Sequence, residues 1–302
     1  MRDGLLLVDK HPNCTSHDVV QRVRRLLRQR KIGHCGTLDP GATGLLTVTA
    51  GKATRLTRFL VRAPKVYAGQ IRFGIATDTY DAAGEVIEEG PIEALDMASI
   101  REAMGRFVGR YEQLAPPFSA KKHRGVRYYE MARRGEDVPE ARKEVEIFEF
   151  EPTGELEDGR LPFRTGCSSG TYVRSLAHEL GAALGCGAHL AELRRLQVGP
   201  FRLEQALDLE ELERREAAGE PLDPAWIALD EIPLPFGDLV ADAQQERRII
   251  SGQTVLMRPE SSQEGDWVKI INRRHQMLAV GTVVEKIGGN GVSVVQPRIV
   301  FR

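Results

Sequence analysis

The sequence feature that most constrains the fold is a glycine-rich loop at residues 33–44, which reads Gly-His-Cys-Gly-Thr-Leu-Asp-Pro-Gly-Ala-Thr-Gly. Neither a helix nor a regular strand continues easily through it, because Pro40 lacks an amide hydrogen and pushes the residue before it into extended geometry. The glycines allow sharp turns on both sides. We therefore predict that Asp39, the single carboxylate of this loop, is presented by a shaped turn and not by a helix face.

The segments around this loop show both strand and helix patterns. Residues 5–8 and 44–49 are apolar runs typical of strands, and residues 65–74 alternate in polarity. A capping box formed by Thr15 and Asp18 opens a helix whose apolar residues form one stripe. The order is not a regular strand–helix–strand alternation, so we predict an α+β fold.

The composition changes towards the end of the chain. Residues 220–235 contain four prolines, a pattern that predicts a linker. Short apolar segments separated by turn residues follow at 267–271, 278–284 and 292–295. This pattern is expected of a small β-barrel. We therefore predict two domains, residues 1–232 and residues 233–302.

The distribution of charge is more informative than its sum. The 42 lysines and arginines nearly balance the 43 aspartates and glutamates, giving a formal net charge of −1. Basic side chains concentrate at residues 22–31 and 121–134, whereas acidic side chains collect at 204–220. Such segregation indicates one face for a polyanion, although solvated helix faces would give the same pattern.

Several kinds of site lack their motifs in this sequence. The four cysteines do not have the paired spacing of a disulfide framework or a zinc ribbon, so we expect reduced thiols and a cytoplasmic location. Phosphate-binding glycine motifs and the serine nucleophile elbow do not occur. We expect neither a signal peptide nor a membrane-spanning segment. A single aspartate acting without metal or cofactor is what remains.

Three candidate groups carry chemistry: Asp39, Tyr67 near the start of a strand, and Arg174 near the start of a helix. An aspartate before proline commonly caps its own turn, and a tyrosine on an apolar strand face is usually a core residue. Arg174 differs from both, because a cation in the first helical turn opposes the helix dipole. Its position indicates a fixed carboxylate or phosphate partner.

Together these segments resemble the TruB family of bacterial tRNA pseudouridine synthases over nearly the whole chain. The loop carries the family's G-H-x-G-x-L-D-P-x-A-T-G pattern, which is highly specific. Further similar segments are Lys65–Tyr67 and residues 76–81, 117–120, 169–174 and 187–195. The resemblance implies a pseudouridine-synthase domain with a mixed or antiparallel sheet and flanking helices, followed by a PUA-like β-barrel.

The resemblance also implies a function, the isomerisation of uridine to pseudouridine at position 55 in the T-loop of tRNA, on a flipped-out base. It implies that Asp39 is the nucleophile, that Tyr67 stacks on the target base and that Arg174 pairs with Asp39. The residues it assigns to substrate or RNA contacts are His34, Tyr172, Leu193, Lys10, Lys65, Lys122 and Arg124. An insertion at about residues 112–152 is expected to clamp the RNA. The implied partner is the T-arm stem-loop of tRNA, bound by a monomer without metal, cofactor or membrane.

Two other functions stay open at this point. One is a non-catalytic RNA-binding or tRNA-folding protein, and the other is a related synthase that modifies ribosomal RNA within a guide-RNA complex. The chain departs from the family at residues 10–13, which read Lys-His-Pro-Asn where Lys-Pro-x-Gly is usual, and at Cys35. The sequence does not decide whether Asp39 attacks C6 of the base or assists a glycal route at C1′.

Overall fold

The structure is a computed structural model that describes residues 2–118, 122–123, 126–128, 131, 134, 136, 139, 141–259, 262–287 and 291–301. The strands, in chain order, are β1 Gly4–Lys10, β2 Ile32–His34, β3 Thr43–Ala50, β4 Lys65–Phe73, β5 Ile75–Thr77, β6 Val86–Glu89, β7 Gly109–Leu114, β8 Lys122–His123, β9 Val126–Arg127, β10 Arg142–Pro152, β11 Arg160–Cys167, β12 Ala188–Val198, β13 Phe201–Arg202, β14 Trp226–Ala228, β15 Asp238–Ala241, β16 Val255–Met257, β17 Trp267–Asn272, β18 Met277–Ile287 and β19 Val292–Val300. The α-helices are α1 Ser16–Leu26, α2 Thr57–Leu60, α3 Met97–Gly105, α4 Val173–Ala183, α5 Leu209–Ala218 and α6 Ala243–Ile250.

A ten-stranded mixed sheet forms the body of the protein. Its main path runs β14–β1–β3–β12–β4–β11–β10–β7, while β2 pairs with β3 and β13 pairs with β12. Neighbouring strands are antiparallel except β3 and β12, which are parallel where Thr43 faces Arg194 and Gly44 faces Arg195. This parallel contact places the residues that follow the Asp39 loop directly beside β12. The predicted α+β class is confirmed.

Helix α1 begins as its sequence predicts. The Thr15 hydroxyl accepts a hydrogen bond from the Asp18 N–H, and the Asp18 carboxylate accepts one from the Thr15 N–H, which completes the capping box. The helix buries Val19, Val20 and Val23 in the core beneath the sheet. Throughout the described ranges, every helix is too short or too polar to cross a lipid bilayer.

The predicted linker at residues 220–235 is wrong. Leu222, Ala225 and Ile232 are buried in the main core, and Trp226–Ala228 forms β14, which pairs with β1. The prolines do interrupt regular structure, but the apolar residues between them still have a face of the sheet to cover. The segment therefore completes the edge of the sheet and does not separate two units.

The C-terminal strands form a five-stranded sheet in the order β15–β17–β18–β19–β16, with its own small apolar cluster. The strand pairings describe an open sheet, so the expected PUA-like barrel is not confirmed. This sheet also packs on the main core: the Phe59 ring meets Phe236 at 5.2 Å and Trp267 at 4.9 Å between centroids. Lys269 is buried and donates to the carbonyl of Ile232 across the predicted domain boundary (3.3 Å).

Replacing Gly44 by alanine should strongly destabilise the fold. Gly44 has a φ of +94°, and an added Cβ would collide with the Arg195 carbonyl and lie 2.7 Å from its nitrogen. We expect the free energy of unfolding to fall by at least about 2 kcal/mol in urea denaturation. Gly41→Ala is the matched control, because nothing lies within 4 Å of an added Cβ there. A loss no larger than that of Gly41→Ala, which should stay within about 0.5 kcal/mol of the native chain, would contradict the role of this contact.

Candidate active site

A cavity of about 720 Å³ opens above the Asp39 loop. Its lining includes the loop, strands β4 and β12, the segment after β5, and the turn that leads into α4. The residues predicted from sequence that line it are Asp39, Tyr67, Arg174, Tyr172, Leu193 and Lys65. Side chains from distant parts of the sequence therefore converge on one cavity.

The backbone around Asp39 is held by buried side chains from other elements. The Ser16 hydroxyl accepts a hydrogen bond from the Leu38 N–H (2.8 Å) and donates one to the Leu38 carbonyl (3.1 Å). Lys10 donates to the Pro40 carbonyl (3.2 Å). Asp39 is thus presented on a fixed turn, as its sequence context predicts, and its side chain is 46% exposed. A ligand in the cavity can therefore reach the carboxylate.

Arg195 holds the beginning of the same loop. Its side chain is almost fully buried and donates to the carbonyls of Leu45 (2.7 Å), Gly36 (3.1 Å) and Thr37 (3.4 Å). No role was predicted for this arginine from the sequence. One signal could have indicated it: Leu193, a predicted substrate contact, lies two residues before Arg195 on the same strand, so the two side chains share one face.

The Arg174 guanidinium lies between two carboxylates. Its Nε is 2.9 Å from Oδ2 of Asp39, and its Nη1 is 3.4 Å from Oδ2 of Asp81. The same group donates to the carbonyls of Thr79 (3.0 Å) and Phe118 (3.1 Å). Its side chain is only 8% exposed, and these partners compensate for the lost water. The position of Arg174 against the helix dipole indicated a carboxylate partner, and the structure shows two, Asp39 and Asp81. No role was predicted for Asp81 from the sequence.

Tyr67 lies on β4 with Thr165 and Arg195 as its neighbours on the adjoining strands. It is largely buried and lines the cavity. Burial raises the pKa of the Tyr67 hydroxyl above its ordinary value, an effect that the nearby positive charge of Arg195 opposes. The hydroxyl is therefore a neutral phenol at physiological pH.

Lys10 does not occupy the position that its predicted role requires. Its side chain is fully buried, and its ammonium donates to the carbonyls of His11 (2.9 Å), Cys14 (2.8 Å) and Pro40 (3.2 Å). An ammonium has three N–H donors, so none is left for a phosphate. The prediction that Lys10 contacts RNA is therefore corrected: this lysine supports the Asp39 loop from below.

Lys65 is also buried, but it lines the cavity. Its ammonium donates to the carbonyls of Val61 (2.8 Å) and Ala63 (2.6 Å). Burial, and secondarily the positive charge of Arg195, lowers the pKa of Lys65 to about 8. This lysine therefore titrates close to physiological pH.

Of the other residues assigned to substrate contacts, Tyr172 and Leu193 line the cavity, whereas His34 lies at the end of β2 outside its lining. Burial lowers the pKa of His34, with a further contribution from Arg195, which favours the neutral imidazole. The structure places Lys122 at the start of the short strand β8 without describing its side chain. Arg124 lies outside the described residues.

The basic run at residues 22–31 is partly neutralised. Arg22 pairs with Glu210 (3.0 Å) and Glu213 (2.9 Å), because α5, in the acidic segment 204–220, packs against α1. The charge pattern suggested that the acidic segment lies apart from the basic run. In the structure the two segments are in contact. The arginines of this run that remain exposed are Arg25, Arg28 and Arg30.

Two other features lie apart from this cavity. The described residues include one group with ligand atoms close enough to hold a metal ion, His11, Asp208 and Glu210, all within 4.8 Å. It lies at the surface, and Glu210 is already paired with Arg22. A wider groove of about 1000 Å³ borders the C-terminal sheet and contains none of the residues predicted for catalysis.

Two family models match consecutive parts of this chain. Residues 24–173 match the family described as TruB family pseudouridylate synthase (N terminal domain), and residues 174–241 match the tRNA pseudouridylate synthase B C-terminal domain. A protein named tRNA pseudouridine synthase B from Solibacter usitatus is 42% identical over 93% of this chain and 96% of its own length. Its namesake from Geobacter sulfurreducens is 46% identical over 73% of this chain and 72% of its own.

Two solved structures are similar across the whole fold. A chain of an H/ACA RNP bound to a substrate RNA containing 2′-deoxyuridine has a TM-score of 0.75 and 25% identity, covering 99% of this chain and 85% of that one. A chain of a Cbf5-Nop10-Gar1 complex has a TM-score of 0.77 and 26% identity, covering 100% and 85%. With identities of 41–46% to curated relatives and matches to both family domains, this chain belongs to the TruB family of pseudouridylate synthases.

Proposed function

We propose that this protein isomerises uridine to pseudouridine at position 55 in the T-loop of tRNA, with Asp39 as the nucleophile. The observation that carries the proposal is the 2.9 Å pair between Arg174 and Asp39 at a cavity that Tyr67 also lines. The names of the relatives support the reaction class and tRNA as the substrate. The family resemblance of the loop supports the position in the T-loop.

The proposed reaction needs no co-reactant, because substrate and product are isomers. The C1′–N1 bond breaks, the uracil rotates, a C1′–C5 bond forms, C5 loses its proton and N1 gains one. Asp39 forms a transient covalent bond at C6 of the base, or assists cleavage by a glycal route at C1′. Pairing with Arg174 fixes the direction of the carboxylate oxygens.

The target base must leave its stack to reach Asp39, at a cost of a few kcal/mol. The cavity of about 720 Å³ is large enough for a uracil and its ribose. We assign Tyr67 to stacking on the flipped base and Leu193 to the apolar wall beside it. Because Tyr67 is a neutral phenol, it can also donate or accept a hydrogen bond during proton transfer. His34, on the strand before the loop, is assigned to filling the space that the base leaves.

RNA binding extends beyond the cavity in this proposal. The insertion at about 112–152, with Lys122 and Arg124, would clamp the T-arm, while Lys65 and Tyr172 contact the substrate from the cavity wall. Residues 233–302 would form a PUA-like RNA-binding unit after a catalytic domain of residues 1–232. The chain acts as a monomer in this scheme.

A guide-RNA-dependent synthase is the second candidate. It is favoured by the whole-chain similarity to a chain of an H/ACA RNP, although the more similar relatives are named as tRNA enzymes. The two candidates differ in one measurable property. A stand-alone tRNA enzyme modifies a bare transcript, whereas a guide-dependent enzyme needs added RNA and partner proteins.

Asp39→Asn should abolish activity while leaving the fold intact, because it keeps the shape of the side chain and removes its charge and nucleophilicity. Release of tritium from tRNA transcribed with 5-tritiated uridine measures the loss of the C5 hydrogen. We expect turnover to fall by at least about 10³-fold, with tRNA affinity nearly unchanged.

The controls are Glu155→Gln, which removes an exposed carboxylate between β10 and β11, outside the insertion, and a transcript with cytidine at position 55. The Glu155→Gln variant should be as active as the native chain, and the transcript with cytidine at position 55 should give no product. Full activity of Asp39→Asn would exclude the proposed nucleophile. If the native chain binds the transcript without forming product, it acts as a non-catalytic RNA-binding protein or needs a guide RNA.

Lys65 should titrate near pH 8 in the free protein, well below an ordinary lysine. Because its pKa in the folded state is lowered, the folded chain binds fewer protons than the unfolded chain between about pH 8 and pH 10.5, and this lysine's contribution to stability rises with pH there. NMR of ¹³Cε-labelled lysines measures the midpoint, and Lys65→Arg assigns the resonance.

Binding of a T-arm stem-loop should then raise that midpoint, because a phosphate favours the charged ammonium. A midpoint near 10 in the free protein would contradict the effect of burial. A midpoint that RNA leaves unchanged would show that Lys65 does not contact the substrate.

A further inference from the structure

Helix α4, which carries Arg174 in its first turn, begins without a cap from its own sequence. Its N-cap residue is Tyr172, whose side chain makes no capping hydrogen bond. A helix start usually needs polar partners for its free backbone groups. The position of Arg174 depends on where this helix starts. Residues of other elements that hold the helix start in place therefore also affect the position of Arg174 in the cavity.

Gln113 on β7 supplies those partners. Its Oε1 accepts a hydrogen bond from the Tyr172 N–H (2.7 Å), and its Nε2 donates to the Tyr172 carbonyl (3.1 Å) and to the Tyr111 hydroxyl (2.8 Å). The side chain is 1% exposed. Both N–H groups and the carbonyl oxygen of the Gln113 side-chain amide are therefore hydrogen-bonded. Two of the three hydrogen bonds go to the backbone of Tyr172.

The residues after Gln113 make further hydrogen bonds to α4. The N–H of Leu114 donates to the Glu179 carboxylate in the second half of α4 (3.1 Å), and Arg174 itself donates to the Phe118 carbonyl (3.1 Å). The segment from Gln113 to Phe118 is therefore fastened to α4 at three places. It is also the beginning of the region that the sequence identified as an insertion.

We propose that Gln113 is a positioning residue for the Arg174–Asp39 pair. Its amide fixes the backbone of Tyr172, two residues before Arg174, and so sets where the guanidinium meets the Asp39 carboxylate. It acts through the helix start and touches neither aspartate. The positioning of Arg174 is a property of the free protein, and only the kinetic consequence rests on the proposed function.

Gln113→Met tests the proposal, because methionine has a similar length and volume but makes none of the three hydrogen bonds. A matched control is Val145→Ala: Val145 is also buried, on the neighbouring strand β10 opposite Tyr111, so its truncation weakens the same edge without a bond to Tyr172. Thermal unfolding of both full-length variants compares their loss of stability.

The first readout is the rate at which phenylglyoxal modifies Arg174, followed by peptide mass spectrometry. In the native chain the guanidinium is buried and bound to two carboxylates and two backbone carbonyls, so modification is slow. We expect the rate to rise by at least about fivefold in Gln113→Met and to stay at the native value in Val145→Ala. This readout does not depend on any enzymatic activity.

The second readout is the separation of kcat from KM for a tRNA transcript. We expect kcat to fall by about 10- to 100-fold in Gln113→Met with KM within about threefold of the native value, because a small displacement of a catalytic pair slows the chemical step. Ile100→Val, which shortens a buried side chain on α3 outside the insertion, should keep its kcat. If the native chain forms no pseudouridine, the proposed function fails and the modification rate of Arg174 alone decides the positioning role.

Native protection of Arg174 in Gln113→Met, or faster modification with an unchanged kcat, would overturn the proposal. If Gln113→Met does not fold, Gln113→Glu replaces it in the same measurements. That variant keeps the acceptor for the Tyr172 N–H and loses both donors, so the same directions of change are expected with smaller size.

Discussion

A guanidinium that is only 8% exposed has given up most of its hydration, and the loss must be compensated by charge and hydrogen bonds. Arg174 obtains this compensation from Asp39, Asp81 and two backbone carbonyls. These partners come from separate segments of the chain, so the cation is the point where those segments meet. The Asp39 loop, the turn after β5 and the start of the insertion cannot move independently while this group stays buried.

The electrostatics of the cavity also depend on buried cations. Lys10, Lys65 and Arg195 lie under or beside the Asp39 loop and donate to backbone carbonyls. Lys10 and Arg195 fix the loop through hydrogen bonds, whereas Lys65 donates to the carbonyls of Val61 and Ala63. Together they add positive charge around the loop of a chain whose net charge is −1. A field of this sign favours a polyanion at the mouth of the cavity and a carboxylate on its floor. One arrangement would thus serve both a polyanion and the proposed nucleophile.

Local patterns predicted much of this structure. The capping box at Thr15, the strands around the loop and the turn that presents Asp39 each depend on residues adjacent in sequence, and the structure shows them as expected. Lys10 was misassigned because burial is a property of the assembled sheet, which the residues next to Lys10 in the sequence do not reveal. The proline-rich segment at 220–235 was misassigned for a related reason: its partner strand lies more than two hundred residues earlier in the sequence.

That long-range pairing bears on how the protein is made. Strand β1 lies between β3 and β14, and its residues Leu5, Leu6 and Leu7 are fully buried. During synthesis β3 becomes available early, but β14 leaves the ribosome only after residue 228 has been added. Until then one side of an apolar strand has unpaired backbone groups, which is the kind of edge that recruits other chains. The nascent chain therefore carries an apolar strand with one unpaired edge for most of its translation, and the segment that later pairs with it is the one whose prolines suggest a linker.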